Sequence, residues 1–167
     1  MINIRKILRI SFLILIGGCS YSFNLNNYPN LKTVQVDAFQ NKTSEFEIDE
    51  EITDYLAGEF RKDSRLRLVN ENPDCLITGK VVSYSDVPAQ YDEKENVSLR
   101  KIKIAFKIQF EDTKEKKIIW DSGSYSENEN YVESGSSETI ANSAEEARQK
   151  IYEKVFNKII QNTLESW

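Results

Sequence analysis

Positions 97–110 alternate with a period of two. Ile102, Ile104, Phe106, Ile108 and Phe110 are apolar, and Lys101, Lys103, Ala105, Lys107 and Gln109 stand between them. A strand sends successive side chains to opposite faces, so this pattern predicts a strand with one buried face and one wet face. A weaker alternation runs through 31–39, with Val34, Val36 and Ala38 on one side and Thr33, Gln35 and Asp37 on the other. Residues 75–85 read as a strand with Gly79 in its middle, and 117–125 as a returning strand after a hairpin loop at 111–116. Residues 66–69 form a short extended piece. The polar stretches 86–96 and 126–137 predict loops.

The period changes to the helical one twice. Ile48, Ile52, Tyr55, Leu56 and Phe60 make one apolar stripe. Ser44 and Glu47 before it have the spacing of a capping box. Glu45, Glu47, Asp49, Glu50 and Glu51 crowd the start of this helix, and Arg61, Lys62 and Arg65 its end, as the helix dipole favours. Near the C-terminus, Ile140, Ala144, Ala147, Ile151, Val155 and Ile159 form a second stripe, widened by Tyr152, Phe156 and Ile160. Ser143 and Glu146 repeat the capping spacing. The order β-α-β-β-β-α predicts an α+β two-layer sandwich. Two amphipathic helices pack on one face of a mostly antiparallel four-stranded sheet, and the lysines occupy the other face.

The first residues follow different rules. Arg5, Lys6 and Arg9 accompany an apolar stretch over 7–16, and Gly17, Gly18 and Cys19 follow. A basic start, a short apolar core and small residues at a cut site predict a signal peptide over 1–18. The stretch is well short of the roughly 20 residues that span a bilayer. Ile16-Gly17-Gly18-Cys19 fits a bacterial lipobox, in which the thiol takes a diacylglyceryl group. Cys19 is therefore the predicted lipidation site, and its acyl chains (palmitate among them) would hold the protein on a membrane surface. Residues 19–30 read as a tether and 31–167 as a single domain. Ser20, with no Asp beside the lipidated cysteine, points to the outer membrane by sorting habit. No Lys-Asp/Glu cluster follows Cys19, which favours the periplasmic side.

Removing the signal peptide takes three of the 22 basic residues and none of the 27 acidic ones, which leaves a formal charge of −8. That balance argues against a nucleic-acid partner. The sequence holds no histidine, which removes His-based triads and His-ligated zinc. With Cys19 lipidated, Cys75 stands alone and reads as a small buried hydrophobe. The acidic pairs Asp92/Glu93 and Glu145/Glu146 read as surface charge. Residues 127–138 offer oxygens without the spacing of a calcium loop. No catalytic residue, metal site or cofactor motif emerges, and the chain reads as a binding protein, not an enzyme. Arg100, Lys101, Lys103 and Lys107 make a candidate anion or partner face. The alternative is a solvated face on which lysines block edge pairing.

The sequence resembles the LptE family of outer-membrane lipopolysaccharide-assembly lipoproteins. Cys19-Ser20-Tyr21-Ser22-Phe23 is similar to the family's lipidated start. Val34, Val36, Phe39 and Asn41 match its first strand and turn. Asp63-Ser64-Arg65-Leu66 and Asp74-Cys75-Leu76-Ile77-Thr78-Gly79-Lys80-Val81 match its helix exit and next strand. Tyr84, Pro88, the hairpin ending in Trp120 and the long C-terminal helix complete the order. The resemblance implies a lipid-anchored domain facing the periplasm that plugs, and helps assemble, a large outer-membrane β-barrel of the LptD kind. It also implies lipopolysaccharide as a ligand, bound in the family through basic residues in loops at one end. Here those loops carry Lys94 as their only base, so Lys94 is the candidate loop contact. A different class of reading is a periplasm-facing lipoprotein that regulates a cell-wall enzyme or oligomerises into a secretion pore.

Overall fold

The structure, a computed structural model, describes Tyr28 and residues 30–165. The predicted signal peptide, Cys19 and most of the tether lie outside the described residues. The elements run β1 (Thr33–Val36), β2 (Gln40–Asn41), α1 (Ile48–Lys62), β3 (Arg67–Leu68), β4 (Cys75–Tyr91), β5 (Val97–Asp112), β6 (Lys117–Asp121), β7 (Tyr125–Val132) and α2 (Ala144–Thr163).

The frame is the β4–β5 hairpin, antiparallel from Cys75↔Asp112 at its base to Tyr91↔Val97 at its tip. β1 and β2 lie end to end along the lower half of β4, both parallel to it, and β3 lies outside β1, also parallel. β6 and β7 lie end to end along β5, antiparallel. The sheet is therefore mixed, and it has seven strands where the sequence predicts four, because short β2 and β3 pair onto it and the return after β5 is split into β6 and β7. Short turns join β4 to β5 and β5 to β6 and force antiparallel neighbours, whereas α1 carries the chain from β1 back to the base and makes the next strands parallel to β1.

Both helices cover one face. Ile77, Val81, Ile102, Ile104, Phe106, Ile108 and Phe110 are sealed beneath Ile48, Ile52 and Leu56 of α1 and Ile151, Val155 and Ile159 of α2. The two predicted stripes and the alternation of β5 are thus the core. Phe60 and Phe156 close the gap between the helices edge to face, with ring centroids 5.1 Å apart.

The structure corrects three local expectations. The polar residues 126–137 are not all loop, since 125–132 is strand β7. Its inward positions Glu127 and Glu129 meet Lys158 (3.7 Å) and Lys154 (2.5 Å) of α2. Ion pairs replace apolar contacts there, so the strand lacks the usual apolar alternation. Likewise 86–91 continue β4, leaving a turn of only 92–96, where the Asp92 carboxylate accepts the N–H groups of Lys94 (2.8 Å) and Asn96 (2.9 Å). Ser44 and Glu47 form no capping box. Glu47 is itself the N-cap, left-handed at φ 61°, with no side-chain cap bond. The entry is held instead by Asn41, which donates to the Glu45 carbonyl (2.6 Å) and accepts from the Thr43 amide (2.8 Å). The second capping site forms as read: Ser143 Oγ accepts the Glu146 N–H at 3.1 Å.

Asp74 secures the base. Its Oδ2 accepts the N–H groups of Lys32 (2.8 Å) and Thr33 (3.0 Å), and Oδ1 meets Lys114 Nζ at 2.5 Å. Lys114 and the two backbone donors lower the carboxyl pKa from 3.8 to about 2. A depressed folded pKa adds stability that is fully present above the unfolded value and lost as pH falls through the folded one. Asp74→Asn should therefore cost about 1–2 kcal/mol near neutrality, a figure reduced because Lys114 is well solvated. Urea titrations should show the difference from wild type narrowing between about pH 4 and pH 2.

Candidate partner-binding face

The odd-numbered positions of β5 point away from the helices. Lys101, Lys103 and Lys107 are all exposed there, as the alternation requires. Register supplies their neighbours. Lys101 stands opposite Val87 and Asn130, Lys103 opposite Ser85 and Asn128, and Lys107 opposite Lys80. The juxtaposition of Lys80 and Lys107 is unfavourable in itself, because like charges directly across a ladder repel.

These two lysines flank an open cleft of about 640 Å³ on the uncovered face, with Lys42 also on its wall. Gln40 and Gln109 add amides, and Asp37 and Asp121 add carboxylates. Asp121 is held by Gln109 Nε2 (2.8 Å) and by the Gly123 N–H (2.8 Å). These bonds, with some help from Lys107, keep its pKa below the usual carboxylate range. The cleft is mixed: Ala38, Gly79 and Val82 line it beside both signs of charge, with three lysines to two aspartates. Apolar side chains share the same face: Val82, Val87 and Ile118 are 37%, 49% and 50% exposed, and Leu99 and Ala105 are half-buried at odd positions of β5. Such a surface can receive an anionic or hydrogen-bonding partner.

Arg100 is not part of this face. As an even-numbered position it shares the helix side of the sheet, where its Nε meets Asp86 Oδ1 at 2.9 Å and Glu133 at 3.8 Å. The hydrogen bond to Asp86 raises its pKa. Tyr131 donates its hydroxyl to the other Asp86 oxygen at 2.8 Å, and burial and that bond push Tyr131 up to about 12. Arg100 thus closes a structural network. Lys94 sits exposed at the hairpin tip, far along β4 from the cleft. Lys42 and Lys80 are the members that sequence reading missed. Lys80 is a lone base in an apolar strand, and only the pairing with Lys107 puts it on the face. Among the described residues, no group of three or more Cys, Asp or Glu could hold a metal ion, and no helix is long and apolar enough to cross a membrane.

A family model described as LptE, lipopolysaccharide-assembly, matches residues 31–163. No curated protein matches the sequence. Among solved structures, the hypothetical protein CT253 from Chlamydia trachomatis is similar with a TM-score of 0.57 at 7% identity, covering 81% of this chain and 99% of its own. Protein XCC0632 from Xanthomonas campestris is similar with a TM-score of 0.50 at 9% identity, covering 80% and 89%. At these identities the likeness is one of fold: two helices on one face of an open mixed sheet.

Proposed function

The chain belongs to the LptE family of lipopolysaccharide-assembly proteins, and from that membership we propose that it is a lipid-anchored plug and assembly partner of a large outer-membrane β-barrel. The family assignment makes it an accessory protein of lipopolysaccharide assembly in the cell envelope. The finer reading has Cys19 lipidated, the domain at the periplasmic side of the outer membrane, and the barrel lumen around it.

One observation carries this reading. The helices bury one face of the sheet, and the other is left uncovered, with exposed lysines and amides among a few apolar side chains around a 640 Å³ cleft. The lumen of a membrane barrel is lined by polar side chains and water. A polar, charged sheet face suits such a wall, and an apolar one would not.

The test is a pull-down of the tagged protein from detergent-solubilised membranes, read by mass spectrometry. One large β-barrel protein in near-equal amount is the expected result. A cell-wall enzyme, or self-association alone, would overturn the plug and favour the other reading. The triple variant Lys101→Glu/Lys103→Glu/Lys107→Glu should fold normally, since all three side chains are exposed. It should recover about tenfold less barrel at moderate salt, from three contacts of roughly 0.5 kcal/mol each. Unchanged recovery would assign these lysines to solvation and edge protection.

A further inference from the structure

Phe46 is 90% exposed, more than any other large apolar side chain among the described residues, the next being Tyr91 at 58%. It lies where α1 begins, at the end of that helix away from the base. The backbone on either side of it is held. Asn41 donates to the Glu45 carbonyl at 2.6 Å, and the Glu45 N–H donates to Thr43 Oγ1 at 3.1 Å. Glu47 is left-handed at φ 61°, a strained conformation for a residue with a side chain, and its carbonyl accepts the Glu51 N–H at 2.8 Å. The turn thus presents an aromatic ring to water, although burying it would be favourable.

The charge around the ring is one-sided. Residues 45–54 hold six carboxylates, on Glu45, Glu47, Asp49, Glu50, Glu51 and Asp54, and no base. The neighbouring bases are Lys42 and Lys80, on the lysine-side cleft, and Arg148, which Glu51 takes. Glu47, Glu50 and Asp54 are exposed and recur at helical spacing, so an acidic stripe runs from the ring along α1. Asp49, Glu50 and Asp54 line a cleft of about 280 Å³ beside Phe39, and none of the three is in an ion pair among the described residues. The helix dipole favours the carboxylates of the first turn. It does not account for Glu45 or Asp54, or for an apolar ring set among them.

We propose that Phe46 is the anchor by which the plug docks on its barrel, seated in an apolar recess of the lumen wall that is rimmed by arginine or lysine. This rests on the plug reading. A ring that leaves water for a close-fitting recess dominates an interface, and the charges around it set register more than strength. Cations of the wall would meet the unpaired carboxylates of α1. A second copy of this chain would instead bring the same carboxylates face to face across a two-fold axis, and an anionic lipid surface would repel them. One recess on one side of the wall also sets the rotation of the plug about the barrel axis, which a polar lining alone leaves free. The lysine face of the sheet then meets a different arc of the wall.

The test uses the full lipidated protein, captured with its barrel from detergent-solubilised membranes. Phe46 is replaced by the photo-crosslinking residue p-benzoylphenylalanine, and the products are mapped by mass spectrometry. The expected product is a crosslink to the barrel, at a segment with arginine or lysine beside the linked residue. Phe46→Ser should recover at least about tenfold less barrel, and Phe46→Leu no more than about threefold less. Glu47→Lys/Glu50→Lys should lose about fivefold, a difference that fades at about 0.5 M salt. Purified Phe46→Ser should unfold at the same urea concentration as the parent, because the ring is exposed. A shift to lower urea would make Phe46 a packing residue and overturn the proposal. So would a crosslink to residues 19–27 of the same chain, a crosslink to a second copy, or no crosslink while the barrel is still recovered, all of which leave the plug reading standing. If the unaltered protein recovers no barrel, the plug reading fails, and this proposal with it.

Discussion

Gly79→Ala should destabilise the domain by about 2–3 kcal/mol, a large effect for one methyl group. A Cβ at this position would lie 2.1 Å from Phe39 Cε1, 2.3 Å from Cζ and 2.6 Å from Cδ1. Gly79 has ordinary strand geometry in β4, paired with Ile108. The glycine is there for space: the Phe39 ring occupies the volume that a side chain would take. Phe39 cannot easily withdraw, because it is buried and its N–H is held by Thr53 Oγ1 of α1 at 3.0 Å. Overpacking must then move β4 or the turn between β1 and β2. A smaller ring-site residue should relieve it. Phe39→Leu alone should cost about 1 kcal/mol through lost contacts, but in the Gly79→Ala background it should restore stability. Urea unfolding of the two singles and the double, with unchanged m-values, would show this as a strongly non-additive cycle. Additive losses would mean that the ring does not depend on the missing side chain.

That pair also shows what sequence could and could not reveal. The alternation through Ile102–Phe110 and the stripes of both helices are local patterns, and each names its buried face without knowledge of a partner. The order of elements then leads to two helices on one sheet. Gly79 in a strand was visible, but its reason was not, since Phe39 lies forty positions earlier and meets it only after folding. β7 looks like loop in the sequence because its inward positions are glutamates, and only the lysines of α2 make them suitable there. The parallel pairing of β1 follows from the route of α1 across the sheet, not from any residue in β1. The candidate face shows the same division. Parity within one strand groups Lys101, Lys103 and Lys107, whereas Lys80 joins them through register and Lys42 through its place on the cleft wall. Arg100 is adjacent to them in sequence, but an odd step along a strand puts it on the opposite face.

The other large effect is expected where the two helices meet. Glu51 had an adequate explanation in the sequence, as one of several acids in the first turn of α1. In the fold it has a different one. Its carboxylate receives Arg148 in bidentate fashion, Nε to Oε2 at 2.8 Å and Nη2 to Oε1 at 3.0 Å, and Oε2 also accepts the Tyr152 hydroxyl at 2.9 Å. Burial works against the charge on Arg148, but the bonds and charge of Glu51 outweigh it and hold its pKa raised. Burial, and then the charge of Glu51, also raise Tyr152, which stays a neutral donor. Removing Glu51 would leave a guanidinium that is only 17% exposed without its carboxylate, with Tyr84 as its remaining partner, together with a buried phenol. Glu51→Ala should therefore cost about 2 kcal/mol, at the lower end for a broken buried pair because Glu51 is partly open to water. Tyr152→Phe should cost about 1 kcal/mol, the worth of one hydrogen bond to a charged acceptor in a site with some solvent access. Removing both charges is a different matter, because a buried pair gains little over apolar side chains of similar volume. Glu51→Leu/Arg148→Met should be markedly more stable than Glu51→Ala, close to the parent protein. If the network earns its place by fixing how α1 sits on α2, that double variant should keep its stability but lose uniqueness of packing. Sharp unfolding with broadened side-chain NMR signals along the Ile151–Ile159 stripe would be the mark of it. Narrow signals in the double variant would reduce the network to a matter of charge alone.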